Sequence, residues 1–301
     1  MRSLARFTSG GPLVNYAVAV LLFVTLVWGT TFPLLKSASA TLSGVEMSAA
    51  RFVVAAMVML PFVLKARRET WRDGALLGAL ALTSYVAQAF GLEHISSNRS
   101  AFLTSLNVLM VPFLGLLFGG RISAVMLGAA ALACAGIGLM SWEGGGNWLG
   151  DGATVICALA YALYTIVLSQ RAGKHEARQL AATQIIFMAV FGVLWVLGKA
   201  AFDGGTALGT LPERLMPQWW IIVYLGLIAT AGMLMLQAWA QRSVSADKAA
   251  VIYAMEPVFA ALFGWVLLSE SLTIRAGLGG ALVVVAVILS ELKPAVGKSP
   301  A

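Results

Sequence analysis

Charge is what this chain of 301 residues has least of: 20 basic and 13 acidic residues make up 11% of it, against 60% apolar side chains and a mean hydropathy of +0.88. Soluble domains carry roughly a quarter of their residues as charges, so a water-bounded globule is excluded and the chain reads as an integral membrane protein. Cysteine is almost missing. Cys134 and Cys157 both fall inside apolar runs, which excludes a disulfide framework or a cysteine metal cluster. Only two histidines occur, His94 and His175, in turns on opposite sides of the expected bundle, so they make no common metal site. G-x-x-x-x-G-K-[ST] and G-x-S-x-G are absent and the acidic residues show no paired spacing. Nucleotide-driven and nucleophilic chemistry therefore lack their parts, and neither an enzyme nor a cofactor is expected. The net charge of +7 is no nucleic-acid footprint, because the basic residues lie in short turns between apolar runs.

What is present is a repeated membrane-spanning unit. SSNRSAFLTSLNVLMVPFLGLLFG, from Ser96 to Gly119, returns 149 positions later as SADKAAVIYAMEPVFAALFGWVLL, from Ser245 to Leu268. Ser96, Ala101 and Phe113 then fall opposite Ser245, Ala250 and Leu262. Each copy is long enough to cross the ~30 Å hydrocarbon layer as a helix. Ten such spans are predicted: Val14 to Leu35, Gly44 to Leu64, Gly74 to Leu92, Arg99 to Gly119, Ile122 to Trp142, Leu149 to Gln170, Arg178 to Gly198, Gln218 to Ala240, Ala246 to Leu268 and Leu272 to Ser290. The basic, then apolar start of the chain runs on to Leu35 without a small-residue cleavage pattern, so it reads as a retained first helix.

The fold expected is an all-α integral membrane protein of ten transmembrane helices, arranged as two inverted five-helix repeats around a central cavity. Residues 1–142 form the first repeat, 143–150 the loop between repeats and 151–301 the second. An odd number of spans per repeat threads the second through the bilayer in the opposite sense, which is the usual basis of alternating access. Fourteen basic residues lie in the even-numbered loops and termini and five on the other side, which places both termini in the cytoplasm of a multi-pass plasma-membrane protein, a bacterial inner membrane. Lys199 to Pro217 reads as a polar external stretch without a domain of its own.

Ionisable groups at membrane depth tend to face a cavity. Glu256 lies ten residues into its span, ~15 Å deep at 1.5 Å per residue, and is followed at once by Pro257, which loosens the preceding turn. It is read as binding a substrate amine or a proton, or else as a hydrogen-bonding group between helices. Arg51, ~10 Å deep in the second span, holds a substrate carboxylate or pairs with Glu46 or Glu256. Trp28 and Thr31 share a face in WGTTFPLLK, where Pro33 permits a bend. Tyr161 and Tyr164 repeat that spacing in the sixth span, and the opposed faces could sandwich a flat ring or simply pack. Gln88, Asn107 and Gln237 supply polar groups, Tyr253 precedes Glu256 by three residues, and Pro112 is a third bending position. The small-residue spans with Gly128, Gly136, Gly138, Gly277, Gly279 and Gly280 read as support helices or homodimer contacts.

The chain resembles the drug/metabolite transporter superfamily, specifically its EamA-like ten-helix exporters. The resemblance is carried by WGTTFPLLK, Arg51-Phe52, GLEHISSNRSAFLTSLN and above all MEPVFAALFGWVLLSESLT from Met255 to Thr273. It implies helices one to four and six to nine around a central cavity, with five and ten outside. It also implies a proton-coupled or facilitative exporter of amino acids, related metabolites or cationic drugs, with Glu256 at the family's Glu-Pro position. The comparable place in the first copy reads LNVLMVP, so the halves are not equivalent. The function expected is a secondary transporter exporting amino acids or related small amphipathic metabolites, with an aromatic preference. An importer or exchanger of a sugar or polyamine is the alternative, and a channel or structural protein the reading outside transport. Its partners would be the small-molecule substrate, the lipid bilayer and coupled protons.

Overall fold

The computed structural model describes residues 12–117, 123–141, 147–202, 205–268 and 273–291. Among these residues the chain is helical throughout, with no strand. Ten apolar helical segments follow one another: α1 Asn15–Ala38, α2 Gly44–Val63, α3 Arg68–His94, α4 Arg99–Leu117, α5 Ala124–Leu139, α6 Trp148–Lys174, α7 Ala177–Phe202, α8 Leu211–Ala240, α9 Ala246–Val266 and α10 Ile274–Ser290. Eight are long and apolar enough to cross a bilayer and α5 and α10 are shorter, so this is a ten-helix membrane protein.

Local chemistry sets the helix starts. Ser43 caps α2 in a capping box with Glu46, and the Asn147 side chain accepts from two backbone N–H groups at the start of α6. Ser96 caps α4, and Ser245, its counterpart one repeat later, holds the same extended backbone at the start of α9. The stretch read as a polar external loop is smaller than expected. α7 runs on to Phe202, and α8 opens with a short helix at Leu211–Leu215 that lays Leu211 and Leu215 against the core.

Helix neighbours are exchanged in a regular way. α3 packs on α6 as α8 packs on α1, α3 on α7 as α8 on α2, and α4 on α6 as α9 on α1. The pairs α2–α7, α4–α9 and α5–α10 map onto themselves. Exchanging each helix with the one five places along leaves this contact pattern unchanged. Some of the small residues of α5 and α10 are used within the chain: a Cβ on Gly136 would come within 2.6 Å of the Gly279 carbonyl, whereas Gly128 and Gly277 have open space beside them. The Gly136 face of α5 is therefore occupied by α10.

Candidate functional site

Three of the helices are broken at mid-course, and the breaks converge. α1 is interrupted at Thr30, α4 at Leu106 and α9 at Ala254–Met255. Pro33 and Pro257 sit in the first turn after their breaks, where a missing N–H costs little. Pro112 lies inside the second half of α4, six residues beyond the bend at Leu106, so it does not make that break. Leu106 and Met255 are 149 positions apart, the spacing of the sequence repeat. α8 carries a fourth irregularity, a π-helical stretch from Leu225 to Gly232. Irregular backbone at membrane depth survives where it lines a cavity or is buried in protein, and π-turns are frequent at functional sites.

Between these breaks lies a partly open cavity of about 30 Å³, room for about two waters and too small for a metabolite. Trp28 and Thr31 from α1, Ser84, Tyr85 and Gln88 from α3, Thr104 from α4, Tyr161 and Tyr164 from α6, and Glu256 from α9 line it. α5 and α10 contribute nothing to the wall, as the resemblance implies, whereas α2 and α7 stand one layer behind. Of the residues expected from sequence, Trp28, Thr31, Gln88, Tyr161, Tyr164 and Glu256 face the cavity directly.

Gln237 and Tyr253 join them through hydrogen bonds. Gln237 Nε2 donates to Tyr253 Oη at 3.0 Å and Tyr161 Oη at 3.4 Å, while its Oε1 lies 3.3 Å from the Tyr164 hydroxyl. One amide thus fixes three phenols. The Trp28 indole N–H donates at 2.9 Å to the carbonyl of Ala229, inside the π-helical stretch. Trp28 and Tyr161 meet edge to face, with centroids 6.0 Å apart at 72°, and Tyr253 lies 5.8 Å from Trp28. The sandwich geometry is not what is found: the rings contact one another, as their quadrupoles favour.

Glu256 is 8% exposed, and among the described residues no Lys, Arg or His lies within 4.0 Å of its carboxylate. Arg51 pairs with neither suggested acid. Glu46 is held instead by Arg214 through contacts of 2.7 and 2.6 Å at one end of the bundle, and Arg51 sits behind Tyr85, its guanidinium 4.8 Å from that ring. Arg51 Nε donates to Thr230 at 3.0 Å, but its Nη2 is buried without a partner. A Cβ on Gly226 would come within 2.8 Å of the Arg51 carbonyl, so the close crossing of α2 and α8 here requires glycine. Asn107 is buried outside the cavity with its Oδ1 unpartnered, and Thr104, one turn earlier, takes the wall position instead. Sequence reading missed Ser84 and the Thr230 anchor. Ser84, 3.3 Å from Cys157, sits between Thr83 and Tyr85 with nothing in the sequence to mark it out, and Thr230 stands alone in an apolar run.

Polar ties join helices at both ends. At the end bearing Arg214, Arg99 makes a two-bond pair with Asp151 at 2.6 and 2.8 Å, and Lys36 donates to the carbonyls of Leu92 and Ile95. At the other, basic end, His175 bridges Asp73 at 2.7 Å and Thr70 at 3.1 Å, with Arg171 3.3 Å from Asp73. Among the described residues no group of three or more His, Cys, Asp or Glu is placed to hold a metal ion.

Broken helices meeting at a small cavity lined by aromatic and polar side chains are an architecture found in membrane transporters. The chain belongs to the EamA-like transporter family, whose model matches residues 15–142 and 148–292. It is 28% identical over 279 residues to an uncharacterized transporter of Archaeoglobus fulgidus, covering 92% of this chain and 86% of that one. A second uncharacterized transporter of the same organism is 25% identical over 242 residues, covering 78% and 82%. A protein crystal structure superposes with a TM-score of 0.72 at 17% identity, covering 91% of this chain and 97% of that one, which speaks for the fold alone.

Proposed function

We propose that the chain is a secondary transporter for small amine-bearing amphipathic metabolites, amino acids first among them, which it exports by alternating access. The observation that carries this is Glu256: a buried carboxylate on the wall of an aromatic cavity, with no cationic side chain within pairing distance among the described residues. An ammonium group or a proton is the natural partner for it. The unpartnered Nη2 of Arg51 favours a zwitterion over a simple amine, once Tyr85 swings aside and opens the way to it. Two inverted repeats provide the motion, since exchanging which end is tied alternates access to one fixed site. With only about 30 Å³ in the cavity, the arrangement described is too tight for a substrate, which enters after the helices move apart.

The reading is tested in proteoliposomes with labelled amino acids, amines and sugars, with and without an imposed pH gradient. Flux confined to sugars, or absent for every amine and amino acid, would remove it. The aromatic wall makes a separate expectation. Trp28→Leu weakens binding of aromatic substrates about five-fold, ~1 kcal/mol, and spares small aliphatic ones. Equal loss for both classes would mean that the ring only holds α1 against α8.

Orientation follows from the basic end facing the cytoplasm. In a background lacking Cys134 and Cys157, a cysteine at Thr210 is expected to react with an impermeant reagent in intact cells, and one at Lys174 to stay protected. Labelling at Lys174 and protection at Thr210 would invert the arrangement.

A further inference from the structure

At the basic end a second cavity opens on the side of the bundle, separate from the central one. It measures about 470 Å³ and is lined by Tyr16 and Val20 of α1, Glu176, Ala177 and Arg178 at the start of α7, and Met235, Leu236, Trp239 and Arg242 at the end of α8. Its floor is apolar and its mouth is cationic. Arg178 is paired with Glu176, while Arg242 makes no ion pair or side-chain hydrogen bond among the described residues. With Glu176 as the only acid on the wall, the mouth carries an excess of one positive charge. Tyr16 and Trp239 meet edge to face at 5.8 Å beside it, the amphipathic rings that settle at headgroup depth.

We propose that this cavity is a binding site for an anionic phospholipid of the surrounding bilayer. Arg242, with Arg178, holds the phosphate through planar N–H forks, and one acyl chain lies against Val20, Met235 and Leu236. Charge together with the Tyr16–Trp239 pair favours this cavity over the one of about 420 Å³ at the other end, where Lys199 and Arg214 face Glu46 with no aromatic ring in the lining. The larger groove between α2, α7 and α8, about 590 Å³, is lined by apolar side chains apart from Glu46, which Arg214 already neutralises, so it offers nothing to select a headgroup. The position also couples the lipid to the transport site. Met235 and Leu236 lie between Leu234, on the wall of the central cavity, and Gln237, which fixes its tyrosines. A lipid seated here braces α1 against α8, the seam that Trp28 closes further in.

The test uses the full chain purified in neutral detergent and titrated with equimolar phosphatidylglycerol and phosphatidylcholine, with retained lipid counted by native mass spectrometry. Wild type is expected to retain phosphatidylglycerol preferentially. R242Q and R178Q each lower its apparent affinity about five-fold, the worth of one basic residue at a membrane surface. R242K keeps part of the preference, and R68Q, at the same end but outside the cavity, leaves it unchanged. Equal retention of the two lipids, or an equal drop in R68Q, would overturn the site. Displacement of phosphatidylglycerol by inorganic phosphate would overturn the lipid as occupant and make the mouth a free-anion site.

Discussion

Replacing Glu256 by Gln is expected to abolish the response of transport to a proton gradient while leaving the protein folded. The exchange keeps the volume and hydrogen-bonding capacity of the side chain and removes only its ability to bind and release a proton. The other ionisable groups on the cavity wall are Tyr85, Tyr161 and Tyr164, and a tyrosine ordinarily titrates near ~10, outside the working range. On this wall, among the described residues, the proposed gradient-driven flux has Glu256 as the group through which to act. In the wild type, a proton and a substrate ammonium compete for that carboxylate, so protonation from one side releases substrate and a gradient becomes net movement. In Glu256→Gln that competition is gone. Flux measured from about pH 5 to 9 in proteoliposomes should become flat, with gradient-driven and gradient-free rates equal. Pro257→Ala is the control. It restores an N–H beside the break at Ala254–Met255, so it should change the rate while keeping the pH profile. A Glu256→Gln curve that keeps the wild-type profile and gradient response would make Glu256 a structural hydrogen-bonding residue.

Most of the helices were legible because a bilayer leaves the chain few options: a backbone in hydrocarbon must satisfy itself, and apolar runs near twenty residues long announce where it does so. Depth was legible too, which is why Glu256, Trp28, Thr31, Tyr161 and Tyr164 were found from spacing and polarity alone. What sequence could not show was which neighbour each polar group chooses. Glu46 lies five residues from Arg51 on the same helix, yet it pairs with Arg214, 168 positions away, because the short helix at Leu211–Leu215 folds back over the start of α2. Nor did proline mark every break. α4 bends at Leu106 without a proline in the following turn, at the register where α9 bends just before Pro257. The π-helical stretch in α8 leaves no periodic trace in a run that is apolar on all sides, and so Thr230 and the Ala229 carbonyl, which anchor Arg51 and Trp28, stayed hidden.

Arg51 supplies the sharpest test of what kind of molecule the cavity takes. Its side chain is 2% exposed, Nε is satisfied by Thr230, and Nη2 has no partner, although a buried donor left unpaired costs ~1–3 kcal/mol. The Tyr85 and Phe52 rings, 4.8 and 5.8 Å from the guanidinium, offset part of that cost, and the proposed substrate carboxylate would satisfy the remaining donor. Arg51→Lys keeps the positive charge but loses the fork, so it can neither hold Thr230 in the same way nor present a second N–H to a carboxylate. A hydrogen bond to a charged group is worth about 1.5–3 kcal/mol, so affinity for zwitterionic amino acids should fall at least about ten-fold. Amines of the same shape that lack the carboxylate should bind as they do to wild type. Competition binding in detergent, with an amino acid and its decarboxylated amine as the matched pair, separates the outcomes. An equal fall for both would mean that Arg51 only positions Tyr85 and the α2–α8 crossing. An unchanged affinity for the amino acid would mean that its carboxylate is bound elsewhere on the wall.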